Sequence, residues 1–154
     1  MLAVDRDEAG LVPYHGDDAV TTHVADGTHE DEVAAYAARA KELWGSVDAF
    51  ANNAGVEGQV APVTDPAVED FDKVPAVNVR RFFSGLKHVL PFMEEGASVV
   101  NTASPLGLVG GAGLAPYVAS KNAVIGVTKS AALEHALPEE RGSTPSAPHR
   151  SLAG

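Results

Sequence analysis

Val47-Asp48-Ala49-Phe50-Ala51-Asn52-Asn53-Ala54-Gly55 is the stretch on which the fold reading turns. A short apolar run, Val47–Ala51, reads as a strand. It stops at Asn and Gly, residues that tolerate the left-handed conformations of a sharp turn. Upstream, Thr28 and Asp31 read as a capping box. They open a helix from Asp31 to Trp44 with Val33, Ala34, Ala37 and Ala40 on one face, and Gly45 is placed to end it. Leu2–Asp5 and Ala19–Val24 read as two earlier strands.

Downstream, Pro66 sits where an N1 proline would open a helix. Helical periodicity then runs from Ala67 to Met93. Pro75 interrupts it, because an internal proline removes a backbone donor at a cost of about 3 kcal/mol. The pattern predicts a break there, a fresh start just before Asn78, and a helix over Pro75–Met93. Ala97–Thr102 is a further strand, Gly107–Gly113 a flexible loop, and Pro116–Leu137 a long helix. Strands alternating with helices predict an α/β fold with a mainly parallel sheet.

The 154 residues suit one domain, and 45% hydrophobic content is that of an ordinary globular chain. There is no apolar run of membrane-spanning length, and the early charges at Asp5, Arg6, Asp7 and Glu8 do not suit a secretory signal. The absence of Cys excludes disulfides and thiolate chemistry and fits the cytoplasm. A net charge of −10 argues against nucleic acid as a partner. The six His residues form no metal-ligand pattern, so no metal is expected.

Ser104, Tyr117 and Lys121 are spaced S-x12-Y-x3-K, with Asn78 and the Asn52–Gly55 turn before them. Four residues apart on a helix, Tyr117 and Lys121 project from one face. An ammonium beside a phenol stabilises its phenolate, which lets the phenol exchange protons with a substrate oxygen. With Tyr117-Val118-Ala119-Ser120-Lys121-Asn122-Ala123-Val124, these motifs resemble the short-chain dehydrogenase/reductase family, from Leu2 to about Arg141.

The resemblance implies a Rossmann-type, doubly wound sheet and NAD(P)-dependent interconversion of a secondary alcohol and a ketone. By the same resemblance Tyr117 is the acid/base, Ser104 bonds the reacting oxygen and Lys121 also bonds the nicotinamide ribose. Asn78 would hold a relay water. Asp5 would bond the adenosine ribose, favouring NAD over NADP although Arg6 stands beside it. Asp26 and Gly27 would meet adenine, Asn52, Ala54 and Gly55 would line the adenosine side, and Thr102 would lie near nicotinamide. A homo-oligomer is implied too, with Phe82, Phe83, Leu86 and Leu90 offering apolar area either to a second copy or to the sheet.

Two departures stand out. The family's phosphate-binding glycine loop and its first strand, central in the order 3-2-1-4-5-6, have no counterpart. The fold is thus expected to be truncated at both ends, with a partial dinucleotide domain over 1–141. The rival reading is a non-catalytic chain that keeps only part of the fold and the self-association surface. After Arg141 the family reads R-V-N-A-V-x-P-G, whereas this chain reads Gly142-Ser143-Thr144-Pro145-Ser146-Ala147-Pro148. The bases CGG GTC AAC GCC GTC GGC CCC encode R-V-N-A-V-G-P and, read one base later, G-S-T-P-S-A-P. We therefore hypothesise that 142–154 is a frame-shifted, irregular tail. Gene sequencing that finds no shifted frame encoding R-V-N-A-V would refute it.

Overall fold

A computed structural model describes residues 1–136. The expectations for Leu137 and for the 142–154 tail lie outside the described residues.

The chain alternates strand and helix. Strand β1 (Leu2–Asp5) leads through a short helix α1 (Glu8–Leu11) and a 3-10 turn (Val12–Tyr14) to β2 (Thr21–Val24). Helix α2 (Glu30–Trp44) then crosses to β3 (Ala49–Asn52). A long helical passage follows: α3 (Val68–Pro75), a π turn (Ala76–Arg80), α4 (Arg81–Val89) and a 3-10 turn (Leu90–Phe92). Strand β4 (Ser98–Asn101), α5 (Leu106–Val109) and α6 (Ala115–Ala136) complete it. The α/β architecture is as expected, and all the pairing is parallel. Leu2 pairs with Thr21 through to Asp5 with Val24, and Ala49 with Ser98 through to Asn52 with Asn101. The four strands form two separate sheets, β1-β2 and β3-β4.

Several local expectations change. The first turn of α2 is not closed by a Thr28 capping box. His29 is the N-cap, without a side-chain bond, while Thr28 gives both its N–H and its hydroxyl to Asp26 Oδ1 at 2.8 Å. Glu32 reaches back instead to accept the Asp26 N–H at 2.7 Å. Pro66 stands before the N-cap Ala67 rather than inside the helix. The chain does not break at Pro75. It widens into the π turn, which absorbs the missing proline donor, while the Ala76 N–H is shared between the carbonyls of Asp72 and Lys73. Asn78 consequently lies mid-helix and not at a fresh helix start. The stretch beginning at Gly107 is partly helical, because α5 packs on α6 so closely that a methyl on Gly107 would meet the Lys121 carbonyl carbon at 2.8 Å.

The main apolar cluster is Phe82, Leu86 and Val124, with Leu90, Val99, Ala103, Val127 and Ala131 packed around it. It seats α4 and α6 on the β3-β4 sheet. Of the four side chains offered for self-association, Phe82 and Leu86 are thus buried in this cluster and Leu90 lies against it. Phe83 is exposed. No helix of the described residues is long and apolar enough to cross a membrane.

Candidate active site and cofactor face

The π turn gives Asn78 its place. Asn78 sits in this turn on the side that faces the protein, at 1% exposure. Its oxygen accepts the Val56 N–H at 2.8 Å, and its amide donates to Val56 O at 2.8 Å and to Ser120 Oγ at 2.9 Å. Ser120, equally buried, donates in turn to Tyr117 O at 2.7 Å. One polar chain thereby ties the loop after β3, the π turn and α6 together. Both amide hydrogens of Asn78 are spent, so a water there would meet its oxygen lone pair or its main chain.

Lys121 is 5% exposed, and its ammonium donates to the main-chain oxygen of Thr102 at 2.9 Å. A buried ammonium is costly unless bonded. Here it is held at the carboxyl end of β4, with its Nζ 5.8 Å from the centre of the Tyr117 ring. Gly55 makes room for this: a methyl on it would lie 2.9 Å from Asn78 Oδ1 and 3.5 Å from Lys121 Nζ. Thr102 Oγ1 donates to Asn53 Oδ1 at 2.7 Å, closing the ends of β3 and β4 against each other. Ser104 is partly buried, and its hydroxyl accepts the Leu106 N–H at 3.3 Å. Among the described residues no hydrogen bond links it to Tyr117. Ser120, to which motif reading gave no role, completes the buried hydrogen-bond chain from Asn78 to α6.

The remaining assigned residues, apart from Thr102, border one cavity. Asp5, Asp26, Gly27, Asn52, Ala54 and Gly55 all line a cavity of about 800 Å3 between the two sheets. Asn52 is anchored there by donating to Phe82 O at 2.9 Å. The Asp26 carboxyl is held below the usual carboxylate range, first by the Thr28 backbone N–H and then by its hydroxyl. Arg81, which no motif indicated, stands in the same cavity. A methyl on Gly27 would lie 2.5 Å from Arg81 Cδ, so the arginine stem covers that glycine. Partial burial pushes the Arg81 guanidinium down, against the opposing pull of Tyr36, Asp5 and Asp26. Burial also raises the Tyr36 phenol. Among the described residues, no group of three His, Asp or Glu is disposed to hold a metal ion.

Residues 3–139 match the family model described as short chain dehydrogenase. The chain belongs to the short-chain dehydrogenase family. It is 39% identical over 134 residues to levodione reductase of Leifsonia aquatica, covering 86% of this chain and 50% of that protein. It is 43% identical over 141 residues to 2-(R)-hydroxypropyl-CoM dehydrogenase of Xanthobacter autotrophicus, covering 88% and 56%. Among solved structures, levodione reductase superposes with a TM-score of 0.79 at 37% identity, over 87% of this chain and 55% of that one. NAD+-bound xylitol dehydrogenase does so at 0.82 and 32%, over 86% and 54%. This short-chain dehydrogenase thus spans about half the length of the relatives it matches. Its fold is Rossmann-type, and the family binds a nicotinamide cofactor and acts on small molecules.

Proposed function

We propose that the site of this short-chain dehydrogenase interconverts a secondary alcohol and a ketone with NAD(H). The observation that carries the reading is the buried Lys121 ammonium, bonded to Thr102 O and set beside the Tyr117 ring. A phenol held on the same helix face as a fixed cation, at the carboxyl end of β4, is placed to exchange a proton with a substrate oxygen. Tyr117 holds and moves that proton. Ser104 donates a hydrogen bond to the same oxygen, and Lys121 supports the phenolate and the nicotinamide ribose. Asn78, through Val56 and Ser120, keeps these elements in register and borders the proton path. The nicotinamide ring supplies or accepts the hydride when bound.

The residues of this chain suit the two ends of the dinucleotide. Asp5 at the end of β1 suits ribose hydroxyls and disfavours a 2′-phosphate, hence NAD over NADP. Asp26, Asn52, Ala54 and Gly55 line the same cavity, and Thr102 is exposed near Lys121. Gly27 fits less well, since the Arg81 stem lies over it and must turn aside for an adenine ring. We place the protein in the cytoplasm, which its lack of Cys suits, and expect its exposed α4 face, including Phe83, to meet a second copy.

A second reading, a non-catalytic chain with a partial fold, draws on the separation of the two sheets and on Arg81 over Gly27. Calorimetric titration with NADH divides the two readings. Saturable one-to-one binding in the micromolar range is expected for the dehydrogenase. Absence of heat at millimolar NADH leaves the non-catalytic reading standing.

A further inference from the structure

Two stretches of chain adjoin the groups assigned to the reacting oxygen. Residues 105–116 run from Ser104 to Tyr117, so that stretch begins beside one of those groups and ends beside the other. Residues 56–64 follow Gly55, which packs against Asn78 and Lys121. The two stretches are tied together. Ala61 N–H donates to Gly113 O at 2.9 Å, and a methyl on Gly113 would lie 3.2 Å from Val60 Cγ1. Asn122 donates to Gly107 O at 2.8 Å, which holds the first stretch against α6, the helix of Tyr117 and Lys121.

Both stretches present aliphatic side chains to solvent. Val60, Leu108 and Val109 are 64%, 72% and 81% exposed, and Val63 is exposed as well. A lone exposed aliphatic is ordinary, whereas several on two loops bonded to each other mark a contact surface. Next to them, a cavity of about 240 Å3 borders Ala61, Val63, Phe71 and Pro116, and every residue lining it is apolar. Charge is equally one-sided. The sequence has no Lys or Arg between Lys41 and Lys73 or between Lys87 and Lys121, and Glu57 is the single charged residue of the two stretches. Lys73 is bonded to Asp70 at 2.6 Å, and Lys121 is buried on Thr102 O. An anionic group brought here would lose hydration against aliphatic side chains and gain no counter-charge.

We propose that these two stretches select a neutral, apolar substrate: an alicyclic or alkyl-flanked ketone, or its secondary alcohol, without a carboxylate, phosphate or sulfonate on the flank that meets them. The inference rests on the dehydrogenase reading, since it takes Ser104 and Tyr117 as the groups that hold the reacting oxygen. Those two supply the few polar contacts that orient a small molecule, and Val60, Leu108 and Val109 supply the apolar surface that binds its flank. Glu57 adds repulsion against an anion.

The probes are 4-tert-butylcyclohexanone and 4-oxocyclohexanecarboxylate, which share ring and carbonyl and differ in the group opposite it. Each is titrated into the full chain, with and without excess NADH, and followed by amide chemical shifts. The neutral ketone is expected to shift Val60, Leu108, Val109 and Tyr117, and to bind at least ~10-fold more tightly than the carboxylate, since one buries alkyl surface and the other an unpaired charge. No binding of the neutral ketone in either series, a carboxylate that binds as tightly, or shifts confined to other amides overturns the proposal. Shifts at these amides on raising the protein concentration alone mean that a second copy covers them, and overturn it too. Val109→Lys supplies a second arm, because so exposed a side chain contributes little to the fold. The added cation is expected to narrow the preference for the neutral ketone by ~3-fold or more. A folded Val109→Lys protein with its preference unchanged contradicts the proposal, and if the variant does not fold, the probe pair decides alone. The NADH series separates the two readings. NADH binding without ketone binding overturns the substrate class alone, whereas ketone binding at these residues without NADH binding counts against the dehydrogenase and supports the apolar site.

Discussion

The two sheets of this dehydrogenase are built alike and supported differently. Behind β3-β4 stands a continuous cluster in which Phe82, Leu86 and Val124 are almost fully buried. In the first part of the chain, up to the end of α2, the buried apolar residues are small or isolated: Leu11, Ala25, Val33 and Ala37. The second half also carries the buried polar chain through Asn78, Ser120 and Lys121. The first half joins it mainly through α2 packed on α4, with the Glu30 ion pairs and Lys41 over the Phe92 ring at 5.3 Å. The half that carries Tyr117 and Lys121 therefore supports itself, whereas the β1-β2 half leans on helix contacts across an open cleft. Strand pairing is cooperative along a sheet, and one interruption removes ladder bonds from both neighbours.

The largest effect should come from testing that asymmetry in the core. Phe82→Ala should cost about 3–5 kcal/mol, because a fully buried ring leaves a cavity that α4 and α6 cannot close. Val33→Ala, though equally buried in α2, should cost no more than about 2 kcal/mol. Urea unfolding of both variants checks this, and a Val33→Ala loss equal to that of Phe82→Ala would erase the distinction between the halves.

Next is Tyr117→Phe, measured on the chain extended by the first strand and glycine loop of a full-length family member. Turnover should fall ~10²-fold or more, the scale of a positioned proton-transfer group. Dinucleotide affinity should hold, because the ring and the Lys121 contact to Thr102 persist. A near-normal kcat removes Tyr117 from the role of acid/base.

A smaller effect is expected of Gly55→Ala, which presses a methyl to 2.9 Å from Asn78 Oδ1. Relaxation of the loop after β3 should hold the loss to about 1–3 kcal/mol. Crowding confined to the Asn78 region would appear as chemical-shift changes at Val56, Ser120 and Lys121. Changes at β1 and β2 instead would mean that the halves are coupled more tightly than their contacts indicate.

The smallest concerns the bridge. Glu30 is held below its ordinary value near 4.5 by Lys87, then by His88. A carboxyl depressed in the folded state stabilises the fold above its unfolded value and loses that contribution as pH falls through the folded one. Glu30 and Lys87 are exposed and His88 is partly so, so screening keeps the effect slight. Wild type should melt marginally higher than Glu30→Gln at about pH 6, with the gap closing by about pH 3. A gap that widens with acid would show that the bridge has the opposite sign.

The site was legible in the sequence to the extent that its chemistry is encoded in spacing. Tyr117 and Lys121 had to share a helix face, and the Asn52–Gly55 turn had to end a strand. Asn78 was legible as a residue but not as a geometry. It lies in the π turn after Pro75, a choice among helical registers that differ by single hydrogen bonds and leave no periodic trace. Short elements such as α1 and α5 escaped notice for a similar reason: four residues hold too little pattern, and α5 exists because Gly107 lets it rest on α6.

By itself, the sequence determined the order of strands and helices, the parallel pairing that crossover helices enforce, and the spaced residues that mark the family. Those follow from local periodicity and from side-chain chemistry, which need no knowledge of distant contacts. Only the tertiary structure decided that Ser120 and Asn78 join the loop after β3 to α6, that Arg81 stands over Gly27, and that two sheets face each other across an open cleft. Each depends on residues far apart in the chain meeting at particular distances, where burial, bonding partners and free volume are settled together.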